Sequence, residues 1–285
     1  MVASTPDDAR EILQRHDDAC SGRLVPDIIS ELKYPEAAVL WMPPNDTWRT
    51  IRKSLNIYLT NHQKLDYLND LRQNVVEGML EFLRESARKK VAVDIGKLAF
   101  GVSLNKISNT FLSKDVTSYN SDEIESFKMA VETAMEVQGK FNIADIFLVL
   151  KPLDPENIPE GFVDERLKHR ELKLPRFGDV LDSFLDYSQD NEPKFNLNHI
   201  KALLVDLFIA GTDTVSNTIT WTMTELLLNP DMLLRVLRGE VSQTLGQEGK
   251  VEESIVLDLP YLQAVIKETV RLHFAAPLFV ATTKA

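Results

Sequence analysis

A long helical stretch that contains five helix-disfavouring residues is the feature that most constrains this fold. The stretch is predicted from about residue 198 to 228, because apolar residues recur along it at helical spacing. Its middle reads Ala210-Gly211-Thr212-Asp213-Thr214. A glycine inside a helix costs about 1 kcal/mol relative to alanine, and the Thr-Asp-Thr run competes for backbone hydrogen bonds. We therefore expect the helix to bend there, with the acid Asp213 and the alcohol Thr214 side by side in a buried place suited to proton delivery.

Two interpretations of this segment are open. The absent side chain of Gly211 lets a flat ligand approach the helix backbone closely. Alternatively, Gly211 lets the helix pack tightly on a neighbouring helix, while Asp213 is hydrogen-bonded locally. The segment alone favours neither interpretation over the other.

The rest of the chain is also helical in pattern, and it contains no linker, so residues 1–285 are predicted to form a single domain. Prolines 152, 155 and 159 predict a loop over residues 151–161. Weak strand patterns occur at residues 37–41 and 279–282. Further helices are predicted at residues 7–16, 47–59, 65–90, 95–112, 121–139, 179–187, 230–246 and 260–273, the first capped by Thr5.

Composition excludes several classes of function. The formal net charge is −11 and no stripe of Lys and Arg stands out, which argues against nucleic acid as a partner. The single cysteine, Cys20, excludes an internal disulfide and a multi-cysteine zinc site. No run of about 18 apolar residues and no N-terminal signal core is present. The chain as written is therefore expected neither to span a membrane nor to carry a secretion signal.

Two further pairs of residues carry possible chemistry. Trp48 and Arg52 lie one helical turn apart, so that an aromatic face and a guanidinium could hold a carboxylate of a flat macrocycle. The ordinary alternative is core packing beside a solvated arginine. Glu268 and Arg271 lie at i and i+3 on one helix and can pair, although most such pairs are surface features.

In this order and spacing, the three groups resemble the motifs of one family. Further matches are Asn229-Pro230 after the long helix and the segment LPYLQAVIKETVRLH at residues 259–273. The chain resembles, nearly end to end, the cytochrome P450 haem-thiolate monooxygenases of plant microsomes. The segments ISNTF at residues 107–111 and FNIADIF at residues 141–147 are similar to the group containing geraniol hydroxylase-like enzymes.

The resemblance implies a mainly α, partial cytochrome P450 fold with a helical core around a haem site and little β-structure. It implies that Asp213 and Thr214 relay protons during dioxygen activation. Trp48 and Arg52 would hold a haem propionate, and Glu268 and Arg271 would form a buried structural ion pair. Helix residues that would approach the haem are Ala210 and Gly211, and residues that would line the substrate pocket are Ala210, Ala275 and Val280.

The family also implies haem (iron protoporphyrin IX) as cofactor, with electrons from NADPH through a reductase. It implies a small lipophilic, terpenoid-like substrate and a place at the cytosolic face of the endoplasmic reticulum membrane. The sequence departs from the pattern because the axial cysteine loop and the N-terminal anchor are not found, and Cys20 does not stand at the ligand's place. The expectation is thus a chain truncated at both ends, without a metal ligand and possibly cytosolic. The alternative function is a non-catalytic helical fragment that at most binds a partner.

Overall fold

The computed structural model describes residues 5–23, 25, 36–59, 69–121, 123–139, 157–245, 255, 258–276 and 282–283. The described residues are mainly helical, as predicted, and their only sheet pairs β1 (Gly22–Arg23) antiparallel with β2 (Thr282–Thr283). The helices are α1 (Pro6–Arg10), α2 (Asp46–Tyr58), α3 (Asn69–Lys89), α4 (Ile95–Leu112), α5 (Glu123–Gly139), α6 (Asn157–Glu171), α7 (Val180–Asn191), α8 (Leu197–Leu228), α9 (Pro230–Leu234), α10 (Ser242–Leu245) and α11 (Pro260–Leu272). Two π-helical stretches, Glu11–Arg15 and Arg235–Val241, follow α1 and α9.

Side-chain caps explain where several helices begin. The Thr5 hydroxyl accepts a hydrogen bond from the Asp8 amide at 3.1 Å, which confirms the predicted cap of α1. Asn45, Asp94 and Asp179 act in the same way at the starts of α2, α4 and α7. These oxygens satisfy amide groups that have no partner within the helix.

Two local predictions are wrong. Residues 37–41 do not form a strand, because the amides of Trp41 and Met42 both donate to the Ala38 carbonyl and close a turn. Residues 157–161 belong to α6 and not to a loop. Pro159 lies in the first turn of this helix, where its missing amide hydrogen would have had no partner. Residues 151–156, and residues 279–281 of the second predicted strand, lie outside the described part of the chain.

The described fold divides into two compact units. The first comprises residues 1–61, 134–206 and 278–285, and the second comprises residues 62–133 and 207–277. The long helix α8 begins in the first unit and continues in the second. The assignment of residues 1–285 to a single domain therefore stays a prediction. None of the helices within the described residues combines the length and the apolar character needed to cross a lipid bilayer.

Aromatic rings from α2, α7 and the turn before α8 form the core of the first unit. Phe184 is fully buried and meets the rings of Tyr58 and Phe195 edge to face, with centroids 6.0 Å apart in both pairs. Such contacts add about 0.5–1.5 kcal/mol to the burial of apolar area. The packing fixes α2, which carries Trp48 and Arg52, against α7.

An ion-pair network joins α6 to α7 in the same unit. The guanidinium of Arg166 donates to both carboxylate oxygens of Asp179, at 2.6 and 2.8 Å. Its central carbon also lies 4.1 Å from the centroid of the Phe177 ring. The Asp182 carboxylate accepts from Arg170 and from the amides of Phe177 and Gly178. Burial acts to raise the pKa of Asp182, but these donors outweigh burial and the pKa is lowered.

His199, in the first turn of α8, makes the stability of this unit depend on pH. The ring is buried, its Nδ1 accepts from the Asn196 amide at 3.1 Å, and burial lowers its pKa below the ordinary value. The unfolded chain therefore binds a proton here more readily than the folded chain. The stabilisation is complete above the unfolded pKa of about 6.5 and is lost as the pH falls through the folded pKa.

We expect the His199→Phe variant to show a smaller loss of stability between pH 7 and pH 5 than the unmodified chain. Urea unfolding at a series of pH values measures this slope. The matched control is His16→Phe, because His16 lies on the exposed surface. Equal slopes in the unmodified chain and in His199→Phe would contradict the assignment.

In the second unit, α4 is the central helix. Its side chains are buried on more than one face, which explains why its apolar residues do not follow a single stripe. Phe100 and Leu104 pack with Ile124 and Val131 of α5, and Phe208 of α8 joins this cluster. On another side of α4, Val102 and Leu98 pack with Val75 of α3, and Met79 and Phe82 of α3 lie against this cluster. These contacts fix α5 and α8 on α4.

Candidate active site

The segment Ala210–Thr214 is α-helical throughout, so its glycine and its Thr-Asp-Thr run do not interrupt α8. The bend expected at this segment stays a prediction. The threonine hydroxyls of α8 donate to carbonyls four residues earlier, a bond that shares the carbonyl with the backbone and often bends helices. Thr214 Oγ1 donates to the Ala210 carbonyl at 2.7 Å. The same bond is repeated by Thr218, Thr220, Thr222 and Thr224.

Gly211 is explained by close helix packing, the second of the two interpretations. A Cβ atom built on Gly211 would lie 2.6 Å from Cδ1 and 3.1 Å from Cγ1 of Ile107 on α4. The space of the missing side chain is therefore occupied by α4. On the neighbouring residue, Ala210, the methyl group is exposed. A flat ligand would thus meet Ala210, and the role of Gly211 is to bring α8 close to α4.

Substituting Gly211 by alanine is expected to give no net stabilisation, although alanine is the better helix former. The propensity gain of up to about 1 kcal/mol is offset by the displacement of Ile107. Gly78 on α3 supplies the matched control, because a Cβ there meets only Tyr119 at 3.7 Å, an ordinary contact. Gly78→Ala should raise the free energy of unfolding by about 0.5–1 kcal/mol in urea denaturation. Equal gains in both variants would contradict the packing role.

Asp213 lies half-buried on α8, where burial raises the pKa of its carboxyl group. A hydrogen bond from Asn217 and the positive charge of Lys128 act in the opposite direction but do not cancel the effect. Asn217 follows Asp213 by four residues and so lies on the same helix face. Lys128 lies on α5, spaced one turn from Ile124 in the buried cluster. A carboxyl group held in this way keeps its proton to a higher pH than an ordinary aspartic acid.

Sequence reasoning identified Asp213 and Thr214 but missed Asn217 and Lys128. The four-residue spacing from Asp213 to Asn217 was a usable signal, since i and i+4 side chains meet on a helix. Lys128 lies 85 positions earlier in the sequence, and no local pattern connects it with Asp213. Another neighbour, Thr212, is fully buried, and its hydroxyl has no hydrogen-bond partner among the described residues.

In the first unit, Trp48 and Arg52 come together as their spacing predicts. The guanidinium carbon of Arg52 lies 5.8 Å from the centroid of the Trp48 ring, and the indole nitrogen donates to the Val39 carbonyl at 3.2 Å. This hydrogen bond orients the ring. Arg52 is exposed and makes no ion pair with any residue of the described ranges. An available cation beside a fixed aromatic face can bind a carboxylate.

Glu268 and Arg271 form the predicted pair, but the pair is not buried. The guanidinium donates to both carboxylate oxygens at 2.7 Å, while the side chains are 66% (Arg271) and 55% (Glu268) exposed. The hydrogen bond from Arg271 lowers the pKa of Glu268. The expectation of a buried pair is wrong for the described structure, because α11 buries only Thr269 of its own residues.

The remaining site predictions concern the pocket and the metal. Ala275 is half-buried, three residues after the end of α11, and Val280 lies outside the described residues. No group of three or more His, Cys, Asp and Glu side chains that could hold a metal ion occurs within the described part of the chain. Cys20 is half-buried and forms no disulfide.

The model of the cytochrome P450 family matches residues 1–284. The chain belongs to the cytochrome P450 family, whose members use haem and receive electrons from a redox partner.

Curated plant proteins give the same assignment. The chain is 37% identical to cytochrome P450 76T24 of Catharanthus roseus and 36% identical to geraniol 8-hydroxylase of Swertia mussotii. Each comparison covers 98% of this chain and 59% of the relative. A geranylhydroquinone 3''-hydroxylase of Arnebia euchroma is also 36% identical. The chain therefore spans about three fifths of the length of these relatives.

Solved structures support the fold. A zebra fish cytochrome P450 solved with abiraterone superimposes with a TM-score of 0.77 at 18% identity, over 96% of this chain and 64% of that protein. The progesterone complex gives a TM-score of 0.74. The partial cytochrome P450 fold predicted from the sequence is confirmed.

Proposed function

We propose that the protein is a haem-dependent monooxygenase that inserts one oxygen atom of O2 into a small lipophilic, terpenoid-like substrate. The observation that carries the proposal is the half-buried Asp213, with its raised pKa, directly before Thr214 on α8. Relatives named geraniol 8-hydroxylase and geranylhydroquinone 3''-hydroxylase support the terpenoid substrate class. Haem, when bound, would supply the activation of dioxygen and the oxidation of the substrate carbon.

The chain's own residues fit such a cofactor in separate ways. In the first unit, Arg52 is an exposed cation beside the fixed Trp48 ring, which suits a haem propionate. In the second unit, the exposed methyl of Ala210 offers an apolar surface that a macrocycle or substrate can approach. Gly211 sets the approach of α8 to α4. Cys20 is the chain's sole cysteine, and we do not assign it as the iron ligand.

Asp213 and Thr214 would hold and deliver the proton. The acid form of Asp213 persists to higher pH than usual because its surroundings are desolvated. The Thr214 hydroxyl can accept that proton and pass its own onward once it releases the Ala210 carbonyl. Ala210, Ala275 and Val280 would line the substrate pocket, and Glu268 with Arg271 would stabilise the end of α11.

The proposed partners and location follow from the family. Electrons would come from NADPH through a cytochrome P450 reductase. The protein would act at the cytosolic face of the endoplasmic reticulum membrane, where a lipophilic substrate partitions.

The test is spectroscopic and uses the chain extended to the length of the relatives that it matches, called the full-length protein below. We expect stoichiometric haem binding, a reduced carbon monoxide spectrum of thiolate type, and hydroxylation of geraniol with NADPH and reductase. Arg52→Leu should weaken haem retention, whereas Arg49→Leu, an exposed arginine on the same helix, should not. Cys20→Ser should leave the spectrum unchanged. Absence of the thiolate-type band would remove the monooxygenase proposal and leave the non-catalytic alternative.

A further inference from the structure

Helix α11 of the second unit has specific side-chain contacts at both of its ends. Among its own residues only Thr269 is fully buried, and the half-buried apolar residues are Tyr261, Leu262, Val265, Ile266 and Val270. At the N-terminal end, the Glu240 carboxylate accepts hydrogen bonds from the amides of Tyr261 and Leu262, at 2.5 and 2.8 Å. The guanidinium carbon of Arg235 lies 4.5 Å from the Tyr261 ring centroid. This end of the helix is therefore capped by a side chain from outside the helix.

At the C-terminal end, the cap residue His273 makes the attachment to α8. Its imidazole stacks on Trp221 with ring centroids 3.9 Å apart and planes inclined by 4°. Its Nε2 lies 2.7 Å from Oε1 of Glu225. Its backbone amide donates to the Thr269 carbonyl at 2.8 Å and closes the last turn. One side chain thus connects the end of α11 to two residues of α8.

The side chains of Trp221, Glu225 and His273 are chemically complementary. Trp221 and Glu225 are four residues apart, so they project from the same face of α8. Imidazole combines a flat ring for the indole face with an N–H donor for the carboxylate, and the two contacts fix both its plane and its direction. The His273 and Glu225 side chains are 24% and 30% exposed, so water competes only in part for their hydrogen bond.

We propose that Trp221, Glu225 and His273 form a positioning clamp that fixes the C-terminal end of α11, and Ala275 two residues beyond it, on the helix that carries Asp213 and Thr214. The effect of the clamp on substrate binding rests on the proposed function, in which Ala275 lines the substrate pocket. The clamp itself rests only on the contacts of the second unit. Its removal should loosen substrate positioning more than it impairs the chemistry.

Hydrogen exchange on the 285-residue chain tests the clamp directly. We expect His273→Ala to speed exchange of the amides of residues 270–273 by about tenfold or more, while the amides of residues 263–265, next to Glu240, change less than about twofold. Lys267→Ala is the matched control, because this residue lies on the same helix and is exposed. Unchanged exchange in His273→Ala would overturn the clamp.

Conservative variants separate the two contacts and protect the test from a folding defect. His273→Phe keeps the stacking on Trp221, and Glu225→Gln keeps an acceptor for His273. Each should give an exchange rate between those of the unmodified chain and His273→Ala. If both variants exchange as fast as His273→Ala, the stacking on Trp221 and the hydrogen bond to Glu225 do not contribute separately, and this part of the proposal is overturned.

Kinetics of the full-length holoprotein test the positioning role. His273→Ala should raise KM for geraniol by about tenfold and change kcat by less than about threefold, since uniform binding is lost while the proton donors remain. Unchanged KM together with faster exchange would overturn the role in substrate positioning. A full-length protein without haem would refute the proposed function and, with it, the effect of the clamp on substrate binding. The exchange result would still decide whether the clamp exists.

Discussion

Replacing Arg166 by leucine is expected to lower the free energy of unfolding by about 3–5 kcal/mol, because it removes the guanidinium that donates to both oxygens of the buried Asp179 carboxylate. The Arg166 side chain is 7% exposed and that of Asp179 is 1% exposed. Burial would lower the pKa of Arg166, yet the hydrogen bonds and charge of Asp179, followed by Asp182, raise it. The pair is therefore held in its charged form, and deleting Arg166 leaves the Asp179 charge buried without this cation, although its carboxylate still accepts from the Asp182 amide.

Urea unfolding at neutral pH measures this effect. Arg49 is the control, since it also pairs with an aspartate of the first unit but is 68% exposed and lies 3.5 Å from Asp46. Arg49→Leu should give no measurable change, because solvent screens exposed pairs. A second variant, Arg166→Lys, restores charge without the two-pronged geometry and should recover part of the loss. A loss below about 1 kcal/mol in Arg166→Leu would show that Asp179 is satisfied by other donors.

Asp213→Asn is expected to lower the rate of geraniol hydroxylation by the full-length protein by about 10²-fold or more, if the proposed proton delivery is right. Asparagine keeps the size of the side chain and removes the transferable proton. Because burial raises the pKa of Asp213, the acid form is lost only as the pH rises through that raised value, and the rate should fall in the same range.

The matched control for this variant is Asn217→Ala, which removes a hydrogen bond to Asp213 and keeps the acid. It should move the alkaline limb of the pH–rate profile to higher pH, because the hydrogen bond from Asn217 acts to lower the pKa of Asp213. A comparable loss of rate in both variants at every pH would show that α8 packing, and not proton transfer, is disturbed. A full rate in Asp213→Asn would contradict the relay.

Much of the fold could be predicted from the sequence, and the exceptions have physical causes. Helices α4 and α8 were predicted within one residue of their observed ends, because their apolar patterns are long and their flanking residues disfavour helix. Helix α6 was not predicted, because the prolines at positions 152, 155 and 159 were interpreted as a loop signal, although the first turn of a helix tolerates proline. The predicted strand at residues 37–41 has apolar residues that pack in a turn, and short apolar runs do not distinguish the two.

The site was predictable only where its partners are close in sequence. The Trp48–Arg52 and Glu268–Arg271 pairs follow from helical spacing, but the exposure of the second pair depends on what packs against α11. The neighbour of Gly211, Ile107, is 104 positions away and could not be inferred from local pattern. Sequence therefore left two explanations for the glycine, and the distance to Ile107 distinguishes them.

The hydroxyl of Thr214 has a preferred direction, so the proposed proton relay requires free energy to turn this hydroxyl toward another acceptor. In the described state the hydroxyl points back along α8 to the Ala210 carbonyl. Turning it toward another acceptor requires a rotamer change and the loss of a bond with a net value of about 1 kcal/mol. At room temperature roughly one molecule in six would have the hydroxyl turned away at any moment, since RT is about 0.6 kcal/mol. A bound acceptor would shift this population, so that the alcohol becomes a donor mainly when something is present to receive its proton.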